Sequence, residues 1–140
     1  MKDIHIMVLS TVQASELEKE LNSQKIGMTV HASALQRCGL MCTETQRVTL
    51  WCCVLNALTR QIVQTVLPYM DAVIIHYGDS PLSVIGTAAW VELCSKEATV
   101  ESSRIMIITK HERKILPRLG EYEHARSTIV NSVRYLVESF

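Results

Sequence analysis

Two almost unbroken apolar runs, "DAVIIHY" at 71–77 and "RIMII" at 104–108, limit what this chain can fold into more than any other feature. Successive side chains of a strand point to opposite faces, so a run that is apolar throughout needs cover on both sides. Such strands belong in the middle of a sheet, where parallel strands are packed between helices. Between the two runs, "GDSP" starts a helix by rule, with Asp79 or Ser80 as cap and Pro81 in the first turn. That helix runs to about residue 97. Strand, helix, strand is the unit of an α/β domain.

The alternation continues on both sides. Residues 3 to 9, "DIHIMVL", read as a first strand, and a helix follows from about 15 to 24. Ser15 and Glu18 fit a capping box there, and Leu17 and Leu21 lie one turn apart. "GMTVHAS" alternates, with Met28, Val30 and Ala32 on one face and Thr29, His31 and Ser33 on the other, as a half-buried strand does. Residues 35 to 46 carry no clear period and read as a loop. "RVTLWCCVL" is the next strand, with Val48, Leu50, Cys52 and Val54 on one side. No helix joins these two strands, so the pair is expected to be antiparallel.

A helix near 59 to 67 has Ile62, Val63, Val66 and Leu67 as its apolar stripe, and Pro68 ends it. Residues 110 to 121 read as irregular. A last helix is expected over about 123 to 139, carrying Ile129, Val133, Leu136 and Phe140. The prediction is one three-layer α/β domain over residues 1 to 140, Ras-like or Rossmann-like. Its central sheet is mostly parallel, with five to six strands and helices on both faces. Ligands of such sheets bind at the carboxyl ends of the strands.

Composition excludes several classes. The chain has 140 residues, 48% hydrophobic and 20% charged, which suits one folded domain rather than a disordered one. Fourteen basic residues balance fourteen acidic ones, which argues against nucleic acid as a partner. No stretch offers about 18 apolar residues without charge, so no membrane span is expected. "MKDIHIMVLS" lacks the apolar core and cleavage site of a secretory leader. With five cysteines, this points to a reducing compartment, cytoplasmic or nuclear, with free thiols.

The element order resembles the Ras-like small GTPase superfamily over nearly the whole chain. Local likeness is confined to about residues 48 to 112, where "VTLWCCVLNALTRQIVQTVLPYMDAVIIHYGDSPLSVIGTAAWVELC" and "IMIITKHE" lie. The second sits where the family carries its guanine-reading Asn/Thr-Lys-x-Asp motif, so the resemblance makes Thr109, Lys110 and Glu112 vestigial base-site candidates. Glu112 stands where the family has Asp. The departures are larger. The first strand should run into a glycine-rich loop ending in Gly-Lys-Ser/Thr, whose backbone N–H groups and lysine cradle phosphates. Here it runs into "LSTVQASELEKEL", with no glycine between Met1 and Ile26, and Ser15, Glu16 and Leu17 occupy the lysine region. Cys52, Cys53, Val54 and Leu55 replace the family's metal-holding Asp-x-x-Gly. The base-backing Ser-Ala-Lys is not recognisable in "LPRLGEYEHA".

The resemblance therefore implies a pseudo-GTPase: a non-catalytic interaction or scaffold module without cofactor, working with a protein partner, within a multi-subunit assembly, or as a homodimer. Ile26, Leu35, Leu40 and Met41 form the apolar candidates for contact, and Lys110, Arg113 and Lys114 the basic ones. The exposed faces of the last helix are a further candidate. A second reading is a small α/β ligand-binding protein or hydrolase with its site at the strand ends, from Ser10, His76, Asp79 and Thr109. Cys38, Cys42, Cys52 and Cys53 with His31 do not have the spacing of a structural zinc site, and no metal is expected. Cys94 reads as core. "ELEKE" and "KHERK" read as solvated charge runs.

Overall fold

A computed structural model describes residues 2–23, 35–42, 46–55, 59–78, 80–97, 100–109 and 122–140. Among the described residues, six strands form one sheet: β1 (Lys2–Ser10), β2 (Leu35–Cys42), β3 (Gln46–Val54), β4 (Ala72–His76), β5 (Ile105–Thr109) and β6 (Glu123–Arg126). Their order across the sheet is β2-β3-β1-β4-β5-β6. Among these pairs, β2–β3 at the edge is antiparallel, and β1–β3, β1–β4, β4–β5 and β5–β6 run parallel. Among the described residues, three α-helices lie between strands, α1 (Ala14–Ser23), α2 (Thr59–Val66) and α3 (Pro81–Glu97), and α4 (Ile129–Val137) follows the last strand.

The apolar runs do what their pattern requires. Every residue of β4 and β5 is buried. On one face, Ile4, Ile6, Val8, Val48, Leu50, Cys52, Ile74 and Ile108 pack under α1 and α4, through Leu17 and Leu21 and through Ile129, Val133 and Leu136. On the other, Met7, Leu9, Val73, Ile75, Ile105 and Ile107 meet α2 and α3, through Val63 and through Trp90, Val91, Leu93 and Cys94. This is a three-layer α/β domain. Among the described residues, no helix is long and apolar enough to cross a membrane.

Two expectations need correction. Residues 35–42, read as loop, form β2. Their period is hidden by a bulge: Cys38 pairs with Leu50 and Leu40 with Thr49, which leaves Gly39 as an extra residue and resets the in-out phase. The last helix begins at Ile129 rather than near 123, because 123–126 pair with β5 as β6. "EHAR" is polar and short, so only the neighbouring strand identifies it. The expected strand at 28–33 and the irregular stretch at 110–121 lie outside the described residues.

The helix starts are partly as read. Ser80 caps α3, its hydroxyl accepting the Ser83 N–H at 3.1 Å, with Pro81 in the first helical position. Ser15 is not a cap: α1 starts earlier, and its first turn closes from the Leu17 N–H to the Gln13 carbonyl.

Candidate functional site at the carboxyl end of the sheet

Strands β1 and β4 end level with each other, with Ser10 paired to His76 in register. Both residues continue the face that carries Ile6, Val8 and Ile74, so their side chains lie together beneath α1. The Ser10 hydroxyl is hydrogen-bonded to His76 Nδ1 at 3.0 Å and accepts the Val12 N–H at 3.3 Å. From α1, the Glu20 carboxylate comes within 2.9 Å of His76 Nε2. The two atoms are close enough for an ion pair when the imidazole is protonated, without an aligned hydrogen bond between them. Ser10 and His76 are 0% and 1% exposed, and Glu20 is 7% exposed.

Only Thr11, Val12 and Gln13 connect β1 to α1. Backbone bonds stitch this turn to its neighbours: the Thr11 N–H donates to the His76 carbonyl and the Leu55 N–H to that of Ser10, each at 3.0 Å. The Thr11 hydroxyl pairs with that of Ser83, which also accepts the Gly78 N–H at 2.7 Å. Val12 fills the remaining space. A methyl group placed on Gly78 would lie 2.8 Å from Val12 Cγ1, so glycine is required by close approach. Trp90 closes the far side, with its indole N–H 3.4 Å from the Ser10 carbonyl.

The end of β3 is equally closed. Cys52 and Cys53 are buried, and the Val54 carbonyl accepts the Thr59 hydroxyl at 2.9 Å. Burial pushes the Cys53 thiol up to about 11, against a smaller lowering by its hydrogen bond to Thr59. Such a thiol stays protonated at neutral pH and is a poor nucleophile.

Arg126, Ser127, Thr128 and Asn131 line a polar cleft of about 520 Å³. The Ser127 N–H donates to the Thr109 carbonyl at 3.0 Å, tying the ends of β5 and β6 together. The segment after the sixth strand begins at Ser127, beyond "LPRLGEYEHA".

Of the strand-end candidates, Ser10 and His76 come together. Thr109 is buried but continues the alternation of Ile105 and Ile107, which puts it on the opposite face of the sheet. Asp79, Lys110, Glu112, Arg113 and Lys114 lie outside the described residues, as does Ile26. Leu35, Leu40 and Met41 belong to edge strand β2, of which only the backbone is described. Among the described residues, no group of three His, Cys, Asp or Glu side chains is placed to hold a metal.

Glu20 was not foreseen, because "ELEKE" reads as a solvated charge run. Its signal was present: Glu20 shares one helical face with Leu17 and Leu21, three residues after the first and one before the second. Comparison with protein-family models and with curated proteins finds no match to this chain.

Proposed function

We propose that this chain is a non-catalytic protein-interaction or scaffold module with a small-GTPase-like fold that neither binds nor hydrolyses GTP. The observation that carries this reading is the closed end of β1. A phosphate loop spans eight residues, two of them glycine and one lysine, and needs free N–H groups around an open space. Here three residues join β1 to α1, their backbone and side chains bond to β4 and α3, and Val12 fills the interior. The Glu20 carboxylate beneath α1 opposes a phosphate rather than attracting it. The antiparallel edge pair on an otherwise parallel sheet supports the likeness in element order. The buried Cys52, Cys53 and Cys94, none of them in a disulfide, favour an intracellular setting.

Function then moves to surfaces, as it does when a fold outlives its site. A protein partner, within an assembly or as a second copy of the chain, is the corresponding expectation. Thermal melts with GTP, GDP and ATP, each with Mg²⁺, test the reading. The midpoint should not move, since a ligand without affinity for the folded state cannot stabilise it. A rise of several degrees with GTP would overturn it.

One observation favours a second reading, a hydrolase. Ser10, His76 and Glu20 supply a hydroxyl, an imidazole and a carboxylate in sequence of contact. A nucleophile must meet its substrate, however, and Ser10 has no exposed surface. The same three groups serve as a buried polar network that joins β1, β4 and α1.

A further inference from the structure

A cleft and a projection, both apolar, lie on the layer of α2 and α3, at opposite ends of the strands. The cleft, of about 300 Å³, is lined by His5, Trp51, Thr65, Val66, Tyr69 and Met70. His5 alternates with Ile4 and Ile6 along β1, so it shares the α2–α3 face of the sheet with Met7 and Leu9. Trp51, Val66 and Met70 pack on that face too. The cleft sits where α2 runs out toward the start of β4, at the amino end of the strands. Its wall is almost wholly apolar. The Trp51 indole N–H donates to His5 Nδ1 and the Thr65 hydroxyl to the Gln61 carbonyl, each at 3.1 Å. Tyr69, 79% exposed, leaves a large ring in water beside this wall.

The projection is the start of α3, at the carboxyl end of β4. Leu82 and Ile85 are 79% and 68% exposed, and a spacing of three makes them neighbours on one helical face. The opposite face holds Trp90, Leu93 and Cys94 in the core, so α3 is apolar on two sides. A helix apolar all round is ordinarily covered all round. No charged residue stands between Pro81 and Val91. The first charges beyond them are paired with each other, Lys96 Nζ lying 2.9 Å from Glu92 Oε1.

We propose that the chain forms a two-fold dimer through this layer, with Leu82 and Ile85 of each copy seated in the cleft of the other. Because projection and cleft lie on one layer, an axis placed between two such layers, bisecting the line from one feature to the other, seats both pairs at once. The contact is then closed and isologous. The cleft calls for an apolar occupant of modest size, and this same layer displays one. Making the contact twice doubles the area that a single seat would bury, toward the size of a specific interface. A formal net charge of zero leaves no long-range repulsion between copies. A membrane surface is a poorer match, since Lys96 is the only basic residue of α3 and is already ion-paired. The dimer deepens the interaction-module reading and rests on it, naming a second copy as the partner. A strictly monomeric chain would remove the dimer and leave the nucleotide melts to decide that reading.

Sedimentation equilibrium of the full chain tests it, at concentrations up to about 1 mM so that weak interfaces are covered. The wild-type chain should dimerise. Leu82→Asp/Ile85→Asp spoils the projection, and Thr65→Arg lays a charged side chain across the cleft. All three positions are exposed, so both variants should melt with the wild type. Each variant alone should dimerise at least about tenfold more weakly, as on loss of an interface hot spot. Tyr69→Asp spoils the cleft in a second way and should weaken dimerisation likewise. An equimolar mixture of the first two variants should recover association, because one seat is then intact and in the other Asp faces Arg. A monomeric wild-type chain, a loss confined to the projection or to the cleft, or a mixture no better than its parts would overturn the proposal.

Discussion

His76 Nε2 stands 2.9 Å from Glu20 Oε2, with the two side chains 1% and 5% exposed. Two ionisable groups are taken out of water where α1 crosses the ends of β1 and β4. Desolvation of such a pair offsets much of its attraction. The pair is therefore a weak source of net stability and a strong constraint on how α1 meets the sheet.

Removing one member should expose that constraint. His76→Leu is expected to destabilise the chain by about 3 kcal/mol, since it removes the imidazole that faces both a buried carboxylate and the Ser10 hydroxyl. The double variant Glu20→Leu/His76→Leu should recover much of the loss. Urea denaturation measures both. A single variant as stable as the wild type would mean that the contact is not made in solution.

Gly78→Ala should lower stability by about 1–3 kcal/mol, because the added methyl group meets Val12 Cγ1 at 2.8 Å. Val12→Ala in the same chain should restore part of it by vacating the space. Equal melting temperatures for wild type and Gly78→Ala would show that the β1–α1 turn is looser than described.

The buried thiols give a pH dependence. Burial pushes Cys94 up to about 12, and Cys53 lies at about 11. An unfolded thiol ionises near pH 8.5, so above that pH the unfolded state loses protons that the folded state keeps. Stability should fall as pH rises from about 8.5 toward 11, by up to about 1.4 kcal/mol per pH unit for each thiol. Cys94→Ala should flatten the slope in urea melts at pH 7.5 to 10. In native protein at pH 8, iodoacetamide with mass spectrometry should find Cys53 and Cys94 unmodified, and unfolding should release both.

Thr128 caps α4, its hydroxyl accepting the Asn131 N–H at 3.1 Å. Thr128→Ala should destabilise by about 1 kcal/mol, and Thr128→Asp should keep the cap. Equal losses in both variants would assign the effect to packing instead.

Elements whose character is local were legible. "AVII" and "IMII" announce their own burial, Ser80 and Pro81 mark a helix start, and the stripe of Ile129, Val133 and Leu136 marks another helix. β2 was hidden because the extra residue Gly39 breaks the period by which strands are read. β6 was hidden because four polar residues become a strand only when β5 lies beside them.

The candidate site divides along the same line. The glycine-free turn after β1 and the cysteines at the end of β3 are properties of the chain itself and were readable before folding. That Ser10 and His76 share a face while Thr109 faces away depends on strand register, which is set by pairing between distant segments. That Glu20 is buried beside His76 depends on where α1 crosses the sheet. Side-chain chemistry and local period are written residue by residue; register, edge pairing and the company a buried charge keeps arise only when separate elements pack.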